Sequence, residues 1–511
     1  MPGMGSKKLL RRFYEPLVLL HVLDPNGEQR IPRVWEDANT VHMQLRELRR
    51  NFLNQLAYVC DYIKGGDSVT AIALEVQPSV VTFWMASNSE VSAFTTSFLR
   101  GILETLQGLD LTQSEDSMTV TEAEISQRCI EFSIRRVKTY QNFMRKYLQQ
   151  CLATLREVIL IGWLESFQGF ENDLPGLCHY AYQQRSCQCM RALQRHIGDN
   201  HTYIVEGESR RQAFVLTRHY IGRLGSHVRA AKVLVAAGLR MPDLFNSFAI
   251  QTRPAPKPPS LPPPTGHLTT LEGILNRMLP PVPGQAPLYQ EALATLNAKF
   301  NIQTRLQDKY RDKHFRPRVH AELNLLEYFH AKRLPFVDDD RFIGCSKPAC
   351  YCCYHYISHH PGGFVRPTSH SIRYMNWRPP DLINNADSKE KIQQRDVLNK
   401  VIAQIRLDTL RHIERQRGPS MWRPDSTTGI TCSETYNGPV NKTDTSQFDN
   451  MDTLNHPKSG PATTHISARS SPRLSVSDKG GEELADQIIC SQEEQEDSGE
   501  DSESEGGVLL T

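Results

Sequence analysis

The chain has 511 residues, 39% of them apolar, a mean hydropathy of −0.47 and a formal net charge of +2. That length allows two or three domains, and that composition supports a packed core. A membrane protein is not expected, because the longest early apolar run, residues 16–23, is short and follows Glu15.

The KKLLRR near the start lacks a hydrophobic region with a cleavage site, which predicts no signal peptide. Residues 41–60 place apolar side chains at three- and four-residue spacing and read as an amphipathic helix. Two β-rich runs then flank Gln77-Pro78-Ser79, so a β-hairpin is expected at 68–88. From 91 to about 241 the pattern is helical. Its longest piece, 121–167, carries Val137, Tyr140, Met144, Tyr147, Cys151 and Leu155 on one stripe, and a second stretch, 206–239, breaks at Gly222 or Gly225. The expected domains start with a mainly helical region, 1–250, that contains the hairpin.

Proline then crowds the chain, fixing φ and removing donors, so 251–287 is expected as a stiff linker. Residues 288–419 form a compact segment that closes with an amphipathic helix at 396–416. Beyond it Ser, Thr, Asn, Pro and acidic residues dominate, and 420–511 is expected to be disordered. Residues 482–505 hold eleven Asp or Glu and no Lys or Arg, which leaves 59 basic against 46 acidic residues elsewhere, a charge of +13. A basic body suits an anionic partner, nucleic acid or nucleotide. The acidic tail is then either an internal competitor or a solubilising end.

Twelve Cys without regular spacing do not make a disulfide framework. Four of them crowd between Cys345 and Cys353, which favours metal binding in a reducing compartment, cytoplasmic or nuclear. A hydrolytic zinc site takes three protein ligands and keeps a fourth position for water. His320 supplies an imidazole, and Cys350 and Cys353 supply thiolates. Glu322 completes an H-A-E triplet with His320, and both can face one ion if they occupy the first turn of a helix. The preceding Arg316-Pro317-Arg318 disfavours helix before that point.

Residues 341–344 read as a short buried strand, and Ser346-Lys347-Pro348 as the turn that opens a second helix. Cys350 and Cys353 share a face of that helix, near the end whose partial positive charge favours thiolate. Zinc lowers the pKa of a bound water to about 7. Glu322 is then the catalytic group, taking that proton and delivering it to the departing ammonia.

This arrangement resembles the cytidine deaminase-like superfamily, whose signature is H-x-E, a spacer, then P-C-x-x-C. The spacer from Glu322 to Pro348 is 25 residues, within the range usual for the nucleic-acid deaminase type. H-A-E-L-x-L-L followed by I-G-C-S-K-x-x-C-x-x-C is similar to a fungal branch related to bacterial toxin deaminases. The resemblance implies that His320, Cys350 and Cys353 hold Zn²⁺ and that Glu322 shuttles protons. Pro348 sits one residue early, in P-A-C-Y-C-C, and Cys345 and Cys352 are rival ligands. Cys353 is chosen for its three-residue spacing from Cys350.

The resemblance also implies an α/β fold, a three-layer α/β/α core with a large helical region and a disordered C-terminal tail added. Asn88, at the end of the hairpin, is similar to hairpin residues that touch substrate in that superfamily. Either the helix at 41–60 and the hairpin belong to a split deaminase fold interrupted by a helical insertion, or they form an independent N-terminal domain. Contacts between 81–84 and Phe342-Ile343 distinguish the two. Among the aromatics after the Cys cluster, Trp377, beside Arg378, is the candidate for stacking on a base.

A closed zinc module of Cys345, Cys350, Cys352, Cys353 and His355 or His359 would leave Glu322 without a role. The resulting expectation is zinc-dependent hydrolytic deamination of a nucleobase, in nucleic acid before free nucleoside, with cytosine favoured over adenine by the resemblance. The alternative is a catalytically inactive zinc protein that binds or scaffolds a protein partner through its helical region.

Overall fold

The structure, a computed structural model, describes residues 4–27, 30–31, 40, 42–110, 114–197, 205–256, 265–279, 284–312, 316–381, 388–418 and 424–425. The chain divides into units 1–433 and 434–511, and the second lies outside the described residues. The expected disorder at 420–511 therefore falls outside them too, except at Pro424 and Asp425.

Helix α1 spans Met4–Leu23 and α2 spans Leu45–Cys60. In α2, Leu48, Phe52, Leu56 and Val59 recur at the helical period and are fully buried. Each such side chain contributes about 1.5–3 kcal/mol by leaving water. Strands β1 (Thr70–Gln77) and β2 (Val80–Ser87) form the expected antiparallel hairpin, with Gln77 opposite Val80 across Pro78-Ser79.

Among the described residues eight α-helices follow: α3 (Ala93–Gln107), α4 (Glu115–Phe132), α5 (Ile134–Leu152), α6 (Val158–Glu165), α7 (Leu174–Gln184), α8 (Gln188–Ile197), α9 (Val205–Leu224) and α10 (Ser226–Arg240). The chain returns to the sheet as β3 (Phe248–Thr252), parallel to β2 from Val81↔Phe248 to Met85↔Thr252. Helices α11 (Leu271–Met278), α12 (Gln285–Phe300), α13 (Ile302–Arg311) and α14 (Ala321–Lys332) follow. After them come strand β4 (Gly344–Cys345) and helices α15 (Tyr351–His359) and α16 (Ser388–Arg415).

The sheet order is β3-β2-β1-β4, and β1 is antiparallel to β4 through Ala71↔Cys345 and Ile72↔Gly344. Alternation along the strands builds an α/β/α sandwich. Ile72, Leu74, Phe83 and Met85 pack in the core that contains α2 and α10. Ala71, Ala73 and Ala86 pack on the other face against Ala321, Leu325 and Phe329 of α14. The strand bordering 344–345 is β1, so the hairpin and β4 share one sheet through β1 rather than through 81–84.

Gly344 explains how closely α2 approaches β4. A Cβ there would stand 2.5 Å from the Leu53 carbonyl carbon and 2.7 Å from its oxygen. Beside this contact Arg50 grips Asp340 with Nε at 3.0 Å and a terminal nitrogen at 2.6 Å, and the Asn54 side chain accepts from the Cys345 amide at 3.1 Å.

Several expectations are corrected. The stretch 121–167 is not one helix. It breaks at Ser133, and again after Leu152, where the Thr154 hydroxyl bonds the Cys151 carbonyl at 3.0 Å and competes with the helical ladder. The later break falls at Gly225, one of the two positions expected for it, where a Cβ would meet Tyr182 backbone at 2.9 Å. The segment 251–287 is not wholly extended, because α11 buries Leu271, Ile274, Leu275 and Met278. The strand expected at 341–344 is only Gly344–Cys345. Helix α1 was not anticipated and contains Pro16, and burial of Leu17, Leu19 and Leu20 outweighs that interruption.

Replacing Gly344 with Ala forces α2 off the strand, and a loss of about 1–3 kcal/mol is expected in chemical denaturation. An unchanged midpoint would show that the contact between Gly344 and Leu53 is not tight.

Candidate metal centre

Two helix starts meet at one end of this sheet. His320 is the N-cap of α14, with extended backbone, and its carbonyl accepts from Leu323 and Asn324 amides at 3.0 and 3.1 Å. Cys350 is the N-cap of α15, and its sulfur accepts from the Cys353 amide at 3.4 Å. The flanking chain is tied down by backbone bonds. Arg318 N–H donates to Asn376 at 2.6 Å, Arg378 N–H to Arg318 at 2.9 Å, Ala349 N–H to Thr368 at 2.9 Å and Tyr351 N–H to Ile372 at 3.1 Å.

His320, Cys350 and Cys353 are buried, and their ligand atoms lie within 4.8 Å of one another. His320 Nδ1 is 3.6 Å from Cys350 Sγ and 3.3 Å from Cys353 Sγ. A sulfur at about 2.3 Å and a nitrogen at about 2.05 Å from a tetrahedral ion stand about 3.5 Å apart. The three side chains therefore fit a small metal ion. Cys352, wholly buried, and Cys345 are not in this group, and among the described residues no second such group occurs.

Burial by itself would raise the Cys350 thiol. The hydrogen bond with Cys353 and the His320 imidazole outweigh that and bring it down to about 6. Burial and the neighbouring Cys350 sulfur drive Cys353 well above its ordinary value. Burial opposes charge on His320 as well, and Cys350 reverses the effect and raises it. One thiolate among donors is a soft, anionic seat of the kind a transition metal takes.

Glu322 sits in the first turn of α14 at 5% exposure, and its Oε2 accepts from the Cys345 thiol at 3.8 Å. Its carboxylate also acts on Cys353, adding to the rise of that thiol. It thus stands beside the three-residue cluster without being one of the grouped ligands. A cavity of ≈ 70 Å³ reaches Glu322, Cys345 and Lys347 from the side of Phe364 and Pro367.

The three residues proposed from sequence for substrate lie near the cluster in other employment. Asn88 Oδ1 accepts the Ala321 amide at 2.8 Å, and its Nδ2 donates to the Gly66 carbonyl at 2.7 Å, so it caps α14 beside His320. Trp377 has no exposed surface and leaves no ring face for stacking on a base; its indole N–H donates to Cys353 Sγ at 3.2 Å. Arg378 pairs with Asp381 at 2.7 Å. Sequence reasoning missed the capping role of Asn88 and the indole bond to Cys353, because neither is encoded by local spacing.

Residues 319–381 match a family model described as OTT_1508_deam:-like deaminase. This stretch is deaminase-like. It includes His320, Glu322, Cys350, Cys353, Trp377 and Arg378. No curated protein and no solved structure matches the chain.

Asn88→Ala removes the acceptor for the first amide of α14, and about 1 kcal/mol of stability should be lost. Because the same helix start carries His320, metal affinity should fall along with the melting temperature. Unaltered affinity would detach Asn88 from the positioning of His320.

Proposed function

We propose that the chain is a zinc-dependent hydrolytic deaminase that acts on a nucleobase in nucleic acid, with cytosine favoured over adenine. The observation that carries this reading is the meeting of His320, Cys350 and Cys353 at two helix starts, with the Glu322 carboxylate alongside. The match to a deaminase family over 319–381 supports the reaction type. The excess of basic residues outside 482–505 supports an anionic polymer. Cytosine rests on the resemblance of the H-A-E and C-x-x-C motifs alone.

His320, Cys350 and Cys353 would hold the zinc, which supplies Lewis acidity and brings the pKa of water down to about 7 when bound. Glu322 accepts the proton of the attacking water at a carboxylate oxygen and returns it to the departing amine, so ammonia leaves and a carbonyl replaces the amino group. The 5% exposure of Glu322 limits the access of bulk water to this exchange. Asn88 and Trp377 act by position. One fixes the helix start that bears His320, and the other donates to the Cys353 sulfur. Among the described residues no helix is long and apolar enough to cross a membrane. Helices α3 to α10 offer a surface for a protein partner, and the free thiols suit a cytoplasmic or nuclear setting.

Glu322→Gln should keep bound metal and melting temperature near those of the parent while base conversion drops by about 10²–10⁴. Conversion at the parent rate would remove Glu322 from the chemistry. His320→Ala should lower zinc content in metal analysis and destabilise the fold more than a surface change does. Full zinc occupancy in that variant would place the metal on the cysteines alone. If the parent converts no base in single-stranded DNA, RNA, nucleotides or nucleosides, the chain is a zinc-bearing scaffold.

A further inference from the structure

Asp425 is one of two described residues beyond 418, and its carboxylate is held by Lys347 and Tyr374, which stand near the His320–Cys350–Cys353 cluster. Lys347 Nζ meets Asp425 Oδ2 at 2.5 Å, and the Tyr374 hydroxyl donates to the same oxygen at 3.0 Å. Lys347 is three residues before Cys350, and the Tyr374 ring centroid is 6.2 Å from that of His320. Arg30 donates to the adjacent Pro424 carbonyl. His370, whose ring stands 5.5 Å from Tyr374, and His219 of α9 both feel Asp425 and Arg30.

Two features distinguish this from an ordinary ion pair. First, the cationic side is held in place by parts of the core. Lys347 also donates to the Gly65 carbonyl at 3.0 Å, which fixes it between the hairpin approach and the Cys loop. Tyr374 is fixed between His320 and His370. Second, the acidic side comes from outside the deaminase-like stretch, ten residues past the end of α16 at Arg415. Burial opposes charge on Asp425, yet Lys347, His370 and the Tyr374 hydroxyl hold its carboxyl well below the usual carboxylate range. The seat is therefore built for an anion.

We propose that Lys347, Tyr374 and Arg30 frame a phosphate-binding seat at the mouth of the candidate metal centre, and that Asp425 fills it as an internal substitute for a substrate phosphate. This rests on the reading of the centre as a nucleobase deaminase and adds what the site recognises besides the base. A lysine and a phenol pointed at one oxygen match a phosphate oxygen as well as a carboxylate. A ligand must displace Asp425 to enter, so the chain restrains its own substrate binding.

The test compares the full-length parent with Asp425→Asn and with Asp425→Asn/Lys347→Gln. Calorimetric titrations use deoxycytidine monophosphate, a short single-stranded oligodeoxynucleotide and uncharged deoxycytidine. Asp425→Asn should bind a phosphate-bearing ligand at least about tenfold more tightly than the parent. The added Lys347→Gln should cancel that gain, and deoxycytidine should bind all three alike. The monophosphate gaining alone identifies a terminal phosphate as the occupant, whereas the oligonucleotide gaining alone identifies a phosphodiester. Equal affinities in parent and Asp425→Asn, or an equal gain for deoxycytidine, overturn the proposal.

If Asp425→Asn does not fold, hydrogen exchange on the parent decides. Inorganic phosphate should speed exchange of the Asp425 amide where chloride at matched ionic strength does not, and equal rates refute the seat. Tight phosphate binding with no base conversion by any variant would keep the seat and remove the deaminase reading. Conversion indifferent to Asp425 would do the reverse.

Discussion

Two residue pairs between distant parts of the chain, Ala71↔Cys345 and Ile72↔Gly344, hold this site together. They bring the hairpin against the strand that leads into the Cys loop. The missing side chain at Gly344 lets α2 lie directly on that strand. Once β1 and β4 are joined, α14 has an apolar wall to pack on, in Ala71, Ala73 and Ala86, and its first turn falls opposite the first turn of α15. Small residues on that face matter, because a larger side chain would lift α14 and carry His320 away from the sulfurs.

The electrostatics of the centre follow from that placement. Two helix starts turn their partial positive charge toward a buried spot, and the chain answers with thiols, an imidazole and a carboxylate. Cys350 accepts an amide at its own helix start, while Cys353 takes the indole N–H of Trp377. The two sulfurs differ in basicity although they share a motif. Burial and the Cys350 sulfur raise Cys353, whereas at Cys350 burial is outweighed by Cys353 and the His320 imidazole, which lower it. Glu322 stays beside them without joining the cluster.

The helices between β2 and β3 are tied to the core by a buried polar knot. Asp61, at the end of α2, accepts from Ser68 at 2.5 Å and pairs with Arg136 of α5 at 3.2 Å, both charged groups being essentially unexposed. Arg136 also donates to the Tyr140 hydroxyl at 2.7 Å and lies over the Tyr58 ring, as does Arg223 of α9. Losing one partner of such a pair typically costs about 3–5 kcal/mol, because the other charge is left buried. The knot adjoins the segment that carries Gly65, Gly66 and Ser68, so the helical region and the mouth of the centre are mechanically continuous.

The amphipathic period of α2, the Gln77-Pro78-Ser79 turn and the three-residue spacing of Cys350 and Cys353 are local signals. They were legible because propensity and side-chain direction are set within a few residues. The H-A-E triplet likewise announced a helix start, since Pro317 disfavours helix before it. What the chain could not disclose locally was decided by packing. Pro16 removes a donor inside α1, yet burial made that segment a helix. Proline crowding hid α11 and the short β3, whose pairing partner lies more than 160 residues earlier. Trp377 looked like a stacking residue, and only the fold shows its ring enclosed with its N–H on a sulfur. Asn88 and Asp425 acquired their partners, Ala321 and Lys347, through contacts separated by 233 and 78 residues. Local sequence fixes which atoms are chemically able, whereas long-range pairing decides which of them meet.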